Sequence, residues 1–168
     1  MTEPVSVPSR TTDRLVAVAT RALRNRHLMR APIWIYRARL GFLLGPRVLM
    51  LEHVGRKSGA RRYVVLEVVD HPEPDSYVVV SGFGTAAQWF RNIQAQPEVH
   101  LWVGRHGRRA ATASVLPQDR AAATLQDYAA RNARAWAKMK PAIENTLGAT
   151  IDEADPALPI IELRLAHG

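Results

Sequence analysis

The 168-residue sequence contains no cysteine, which excludes disulfides, thiolate metal sites and a cysteine nucleophile. Long hydrophobic runs are also missing, and no uninterrupted stretch of about 18 apolar residues predicts a membrane span. The first ten residues are polar and lack the apolar segment of a signal peptide. Together these absences favour a reducing compartment, and we expect a cytoplasmic protein.

Recognisable catalytic motifs are missing as well. There is no G-x-S-x-G motif, and none of the six histidines belongs to an H-x-x-x-H pair or another metal spacing. His53 and His100 lie at alternating strand positions, and we interpret both as satisfied core or rim residues. The acidic loop at 152–155 is interpreted as solvated surface. The sequence therefore predicts no metal site, and it leaves the catalytic residues unknown.

Positive charge, in contrast, is abundant at one end of the chain. Residues 1–62 carry thirteen cations and three acids, whereas residues 63–168 carry ten cations and twelve acids. An anionic membrane surface or a polyanionic partner would therefore meet the first third of the protein. The alternative explanation is a compositional bias, because only three of the cations are lysines.

The same first third predicts helices. The segment "TDRLVAVATRALRNRHLM" has an amphipathic apolar stripe, and "PIWIYRARLGFLLGP" continues as a second apolar and basic segment that stops at Gly45-Pro46. We predict two parts within one globular unit, a helical basic extension at 1–45 and a barrel domain at 46–168. The extension either packs on the domain or contacts anionic lipid as a peripheral anchor.

Beyond residue 46 the pattern changes to short strands. Strands are predicted in "RVLMLEHV", "RYVVLEVVD", "YVVVSGFG", "EVHLWVGRHGRRAATASVL" (two strands) and "ALPIIELRL", with "HPEPDS" as a proline-rich turn. Helices are predicted in "TAAQWFRNIQAQP", in "PQDRAAATLQDYAARNARAWAKMK" and onward to Leu147. Because no regular βαβ alternation occurs, we predict an α+β fold with an antiparallel sheet or barrel flanked by helices.

The turn between the first two strands is the strongest candidate site. Arg56, Lys57, Arg61 and Arg62 crowd into it, with Ser58 between two glycines. Backbone N–H groups, arginine and lysine together suit a phosphate or a carboxylate, although the P-loop spacing is missing.

A second glycine-rich stretch ends the predicted third strand. The sequence "SGFG" would let the backbone approach a flat ligand closely, and Trp89 and Phe90 follow soon after it. With the cationic turn, these features predict a pocket for a planar ring with an anionic tail. The alternative is that they are ordinary turn glycines and core aromatics.

Three segments resemble the deazaflavin (F420)-dependent nitroreductase and quinone reductase family of actinobacteria. They are "HVGRKSGARRYVVLEVV", "YVVVSGFGTAAQWFRNIQAQPEVHLWVG" and "LPQDRAAATLQDYA", within about residues 46–130. The specific signal is the G-R-K-[ST]-G turn followed by the W-[FY]-x-N-[IL]-x-A-x-P-x-V helix. The resemblance implies a split β-barrel related to flavin mononucleotide-binding oxidases. It also implies hydride transfer from reduced coenzyme F420 to a quinone, an activated enone or a nitro-aromatic.

The resemblance further implies which residues contact the cofactor. Four residues of the basic turn would face the phosphate and lactyl-glutamate tail, the "SGFG" residues would line the deazaflavin edge, and two helix residues would help to close the pocket. The predicted residues are Arg56, Lys57, Ser58, Arg62, Ser81, Gly82, Phe83, Gly84, Trp89 and Asn92. Tyr128 is predicted as a substrate contact or proton relay, with a surface tyrosine as the alternative.

Three other functions stay open at this point. The same fold could serve a non-catalytic protein that binds F420 or a lipid-like ligand, or a reductase that uses flavin mononucleotide (FMN). A nucleic-acid-binding module is disfavoured, because no aromatic residues are interleaved with the arginine-rich turn and no nucleic-acid motif occurs. Split-barrel relatives are often dimers, so we expect a monomer or a homodimer.

Overall fold

The computed structural model describes residues 47–104 and 106–166. The predicted helical extension at 1–45 lies outside these residues, so the proposed domain boundary stays a prediction. The described elements comprise six strands, three α-helices and one 3₁₀ turn. They are β1 (Val48–Val54), β2 (Arg61–Glu73), β3 (Ser76–Val80), the 3₁₀ turn (Gly84–Ala86), α1 (Gln88–Ala95), β4 (Glu98–Val103), β5 (His106–Val115), α2 (Gln118–Arg131), α3 (Ala133–Leu147) and β6 (Ile160–Leu165).

The six strands form one closed antiparallel barrel in the order β1-β2-β3-β6-β5-β4, and β4 pairs back onto β1. Consecutive strands β1 to β3 are neighbours because tight turns connect them, whereas β6 returns from the end of the chain to lie between β3 and β5. The predicted α+β barrel with flanking helices is therefore confirmed.

Alternation along the strands produces an apolar barrel interior. Leu49 and Leu51 of β1 point inward and are fully buried, and Leu101 of β4 meets them from the next strand. Helix α1 adds Phe90 and Ile93 to the same core. The helix packs on β1, which holds its residues close to the turn that ends this strand.

A second apolar cluster lies on the outer face of the barrel under α2 and α3. Leu125 and Tyr128 of α2 and Trp136 of α3 pack there against Val69 and Val78 of the sheet. None of the helices within the described ranges has the length and apolar character that crossing a bilayer requires.

Three local predictions were wrong. The strand predicted over "YVVVSGFG" ends at Val80, and the "SGFG" residues are not part of it. The "HPEPDS" segment is not all turn, because β2 continues through Pro72 to Glu73 and only residues 74–75 form the turn. The long helix after Pro117 is also interrupted, since α2 ends at Arg131 and α3 begins at Ala133, with Asn132 between them.

Candidate functional site

The basic turn between β1 and β2 closes on its own backbone. The Gly55 N–H donates to the Ala60 carbonyl at 2.8 Å, and the N–H groups of Ser58 and Gly59 donate to the Gly55 carbonyl at 3.0 and 2.7 Å. A side chain at Gly55 would place its Cβ 2.8 Å from both Arg62 Nε and Ser58 Oγ. The glycine at this position therefore leaves room for both polar groups beside the turn.

The turn forms one side of a cavity of about 210 Å³, and α1 forms the other. The lining residues are Gly55, Arg56, Lys57, Ser58, Arg62, Gln88 and Asn92. The structure thus brings together all four residues predicted for the cofactor tail, and Asn92 with them. Sequence reasoning missed Gln88, although its position directly before the Trp-Phe pair of α1 was a usable signal.

The cations of this cavity have no acidic partner within the part of the chain that the structure describes. Among the residues that the structure describes, no carboxylate oxygen lies within 4.0 Å of a side-chain nitrogen of Arg56, Lys57 or Arg62. Arg61 differs, because its Nε lies 3.8 Å from Oε1 of the buried Glu52. As far as the described residues go, three of the four turn cations thus carry no acidic partner that would compete with an external anion.

Arg56 is held in place by α1. Its backbone N–H and its Nη1 both donate to Asn92 Oδ1, at 3.2 and 2.9 Å, and its Nη2 donates to Gln88 Oε1 at 3.1 Å. A guanidinium has five N–H donors in a rigid plane, so these bonds orient the group and leave donors for a ligand.

Behind Arg56, the Asn92 carboxamide is itself buried and contacts His53. The distance between Asn92 Nδ2 and His53 Nδ1 is 3.1 Å. Burial and, after it, the positive charge of Arg62 lower the pKa of His53 to about 4, against the opposing effect of a hydrogen bond to the Val54 backbone. The imidazole is therefore neutral at pH 7.

The "SGFG" segment forms the loop between β3 and the 3₁₀ turn. The Ser81 side chain is fully buried, and its hydroxyl donates to the Gly84 carbonyl at 2.7 Å, so it stabilises the loop. Gly84 has a positive φ of 58°, and an added Cβ would lie 2.9 Å from Leu147 Cδ2. Phe83 is 59% exposed at the tip of this loop. A ring at this position is accessible to a flat ligand.

A second cavity of about 130 Å³ lies where this loop meets the outer helices. Its lining residues are Glu67, Val69, Val80, Gly82, Leu125, Tyr128, Trp136, Met139 and Ile143. The structure therefore places Gly82 and Tyr128 together, apart from the residues of the basic turn. The Tyr128 hydroxyl donates to Glu67 Oε1 at 2.9 Å. Burial and this hydrogen bond raise the pKa of Tyr128 to about 12, so the phenol is protonated at neutral pH.

Trp89 has a different environment. It is buried in the barrel core and meets Phe90 edge to face, with ring centroids 6.2 Å apart. It does not contribute to the lining of either cavity described above. Its predicted contact with the cofactor stays a prediction.

The chemistry of the basic cavity is that of an anion receptor. It offers guanidinium, ammonium and hydroxyl donors on a closed turn, and no carboxylate of residues 47–104 or 106–166 competes for them. Within the described ranges, no three histidine or acidic side chains are arranged to hold a metal ion. The donors fit a phosphodiester or a carboxylate, which are the charged groups of the F420 tail.

The chain is similar to one protein family and to several solved structures. A model of the F420H(2)-dependent quinone reductase family matches residues 28–153. No curated protein matches significantly. Among solved structures, an F420-H2 dependent reductase called FDR-A is 20% identical, with a TM-score of 0.48 over 70% of this chain and 94% of that chain.

Two further structures have the same barrel fold. One is described as a domain-swapped dimer, with 19% identity and a TM-score of 0.50 over 80% of this chain and all of that chain. The other is Atu2129, a protein of unknown function from Agrobacterium tumefaciens, with 15% identity and a TM-score of 0.52. That match covers 82% of this chain and 56% of Atu2129. Because the family model covers three quarters of its length, the chain belongs to the F420H(2)-dependent quinone reductases, oxidoreductases whose cofactor is coenzyme F420.

Proposed function

We propose that this F420-dependent reductase holds the anionic tail of its cofactor in the basic cavity and reduces an electron-poor acceptor, such as a quinone, an activated enone or a nitro-aromatic. The observation that carries the proposal is the cluster of three cations around one turn, none of which pairs with an acid among the described residues. Bound reduced F420 supplies the hydride. The protein supplies tail binding, orientation and shelter from water, so no strongly activated side chain is required.

Each residue of the basic cavity has a distinct part in tail binding. Arg56, oriented by Asn92 and Gln88, can donate two parallel hydrogen bonds to one phosphate or carboxylate. Lys57 adds a mobile point charge, and the exposed Ser58 hydroxyl adds a neutral donor. Arg62 reaches the cavity from the second position of strand β2. Several cations suit a tail with several negative charges better than the single phosphate of FMN.

The "SGFG" loop and the second cavity would hold the ring and the acceptor. Gly82 belongs to both, which supports a role for this loop beside the deazaflavin edge. The cavity is mainly apolar, and the Tyr128 phenol in it stays protonated at neutral pH, with its proton donated to Glu67. We propose that Tyr128 contacts the acceptor at this position. Assembly as a monomer or a homodimer stays a prediction.

The tail site is tested by fluorescence titration with F420 beside FMN. Lys57→Ala and Arg61→Ala each remove one charge from the same turn, but only Lys57 lines the cavity, while Arg61 pairs with Glu52. We expect Lys57→Ala to weaken F420 binding about tenfold, and Arg56→Ala combined with Lys57→Ala to weaken it about a hundredfold, as expected for charge-assisted hydrogen bonds. Arg61→Ala should change the affinity less than about twofold.

Equal losses for Lys57→Ala and Arg61→Ala would contradict the tail site, since the effect would then depend on net charge alone. Preference for FMN over F420 would contradict the cofactor role of the turn. Binding of reduced F420 without reduction of any quinone or nitro-aromatic would instead indicate a cofactor-binding protein without catalysis.

We also propose that the basic first third contacts anionic lipid, where a hydrophobic quinone would dissolve. The support is the excess of ten positive charges in residues 1–62, most of which lie outside the described residues. We expect the protein to pellet with anionic liposomes at low salt, and less of it to pellet as the salt concentration rises. A lack of pelleting at low salt, or equal pelleting with neutral liposomes, would contradict this contact.

A further inference from the structure

The hydrogen bonds around Asn92 determine which way its carboxamide points. Two N–H groups of Arg56, the backbone N and Nη1, converge on one atom of the amide, at 3.2 and 2.9 Å. Both are obligatory donors, so the atom that they meet must be the oxygen. The amide nitrogen then faces His53, where it lies 3.1 Å from Nδ1.

This orientation also determines the state of His53. An amide nitrogen can only donate, so Nδ1 of His53 must accept and carries no proton. The imidazole is therefore the neutral tautomer with its proton on Nε2. A second proton on Nδ1 would bring two donors together in a site where His53 is only 4% exposed and Asn92 only 3% exposed.

Burial and the charged groups around His53 favour a neutral ring, whereas a hydrogen bond to the Val54 backbone acts in the opposite direction and is outweighed. The ring follows Leu49 and Leu51 on the inward-facing side of β1, and the cation that faces it is Arg62 on the paired strand. No carboxylate within the described part of the chain lies within 4.0 Å of the ring to stabilise an imidazolium, unlike His100, whose Nδ1 is 3.7 Å from Glu52.

We infer that His53 is a positioning residue of the anion site, and that its neutral ring fixes the Asn92 carboxamide so that the amide oxygen orients Arg56 toward the ligand. If His53 could not accept, the carboxamide could rotate and present its N–H₂ group to the Arg56 donors. Arg56 would then lose two of its three hydrogen bonds to α1. The role in ligand binding rests on the proposed function, whereas the hydrogen-bond chain is a property of the protein alone.

The first test needs no cofactor. Long-range ¹H–¹⁵N NMR of the full chain at pH 7 reports which nitrogen of His53 carries the proton. We expect an unprotonated Nδ1, together with Asn92 side-chain amide and Arg56 guanidinium signals that exchange slowly with water. A proton on Nδ1 overturns the inference, because the carboxamide would then have to point the other way.

The second test uses two replacements of the same ring. Gln at position 53 can still accept from Asn92 through its side-chain carbonyl, whereas Leu cannot. We expect His53→Leu to weaken F420 binding about tenfold and to speed exchange at Asn92 and Arg56, and His53→Gln to stay within about threefold of the native affinity. His100→Leu is the matched control on the outer face, and it should leave F420 binding unchanged.

A double-mutant cycle separates positioning from a general loss of structure. If His53 acts through Asn92, His53→Leu added to Asn92→Ala should weaken binding no further than Asn92→Ala alone. Additive losses, or native-like F420 binding by His53→Leu, overturn the inference. If the unmodified protein fails to bind F420, the proposed function fails. The tautomer and the exchange rates of the His53→Leu and His53→Gln variants then still decide whether His53 positions Arg56.

Discussion

At the scale of single residues, the direction of each side chain separates neighbours that look equivalent in the sequence. Arg61 and Arg62 are adjacent and equally charged. Because successive residues of a strand point to opposite faces, Arg61 meets Glu52 on the outer face of the barrel, while Arg62 lines the basic cavity. A count of four cations in the turn therefore overstates by one the number of positive charges that a ligand meets.

Tyr128 gives a prediction at this scale. Tyr128→Phe removes the hydrogen bond to Glu67 and should lower the free energy of unfolding by about 1 kcal/mol, measured by urea denaturation. If the second cavity holds the acceptor, KM for a quinone should rise several-fold, while the Kd of F420 stays within about twofold.

The matched control for Tyr128 is Tyr77→Phe. It removes the same atom from a buried ring that stacks on His71, away from both cavities. KM should not change in that variant. An unchanged KM in Tyr128→Phe, with the loss of stability present, would show that the phenol only attaches α2 to β2.

At the scale of elements, most strands were predictable because their hydrophobic periodicity is strong. The errors occurred where a local signal competes with tertiary contacts. Pro72 lacks an N–H and predicts a turn, but β2 and β3 pair irregularly there, with register shifts between Val68 and Glu73. A strand that is already irregular tolerates a proline, so β2 continues to Glu73.

The break between α2 and α3 is a similar case. No glycine or proline marks it, and the residue at the break is Asn132. Its amide donates to the Tyr128 carbonyl at 3.2 Å, and its oxygen accepts from Arg47 at 2.9 Å. Asparagine is a frequent capping residue, but Arg47, which bonds to the Asn132 side-chain oxygen, is 85 positions earlier in the sequence. The contact that stabilises the break is thus invisible to a local pattern.

In the candidate site, too, features set by adjacent residues were predictable, whereas contacts between residues far apart in the sequence were not. The cationic turn was predictable, since glycines and cations cluster in "GRKSGARR". His53 was interpreted as a satisfied core or rim residue, and it is indeed buried and hydrogen-bonded. What the sequence could not provide is its contact with Asn92, 39 positions away on a helix that packs on β1.

At the scale of the whole molecule, His53 should also make stability depend on pH. Its pKa is about 4 in the folded protein and 6.5 in an unfolded chain. Between these values the unfolded state binds the extra proton, so the free energy of unfolding falls as the pH falls from 6.5 toward 4. Above pH 6.5 this contribution is complete. By pH 5 the loss should reach roughly 2 kcal/mol.

Other ionisable groups change the free energy of unfolding over partly different pH ranges. Burial and the nearby Arg108 lower the pKa of His100, which adds a smaller loss of the same sign because its side chain is one-third exposed. Burial raises the pKa of Glu52, but hydrogen bonds from Arg108 and Tyr63 outweigh it and hold that pKa below 4.5. The stability from Glu52 is therefore lost only at more acidic pH than the contribution of His53.

Urea denaturation at pH 7.5, 6.0 and 5.0 separates these contributions. The unmodified protein should lose stability steadily over this range at an unchanged m-value. His53→Gln retains an acceptor for Asn92 but cannot bind a proton, so its loss between pH 6.5 and 5 should shrink to the part that His100 contributes. If both proteins lost stability equally, the acid sensitivity would come from elsewhere in the molecule. If only the His53→Gln variant loses this dependence of the free energy of unfolding on pH, His53, which lies behind the anion site, also sets the pH range in which the barrel is stable.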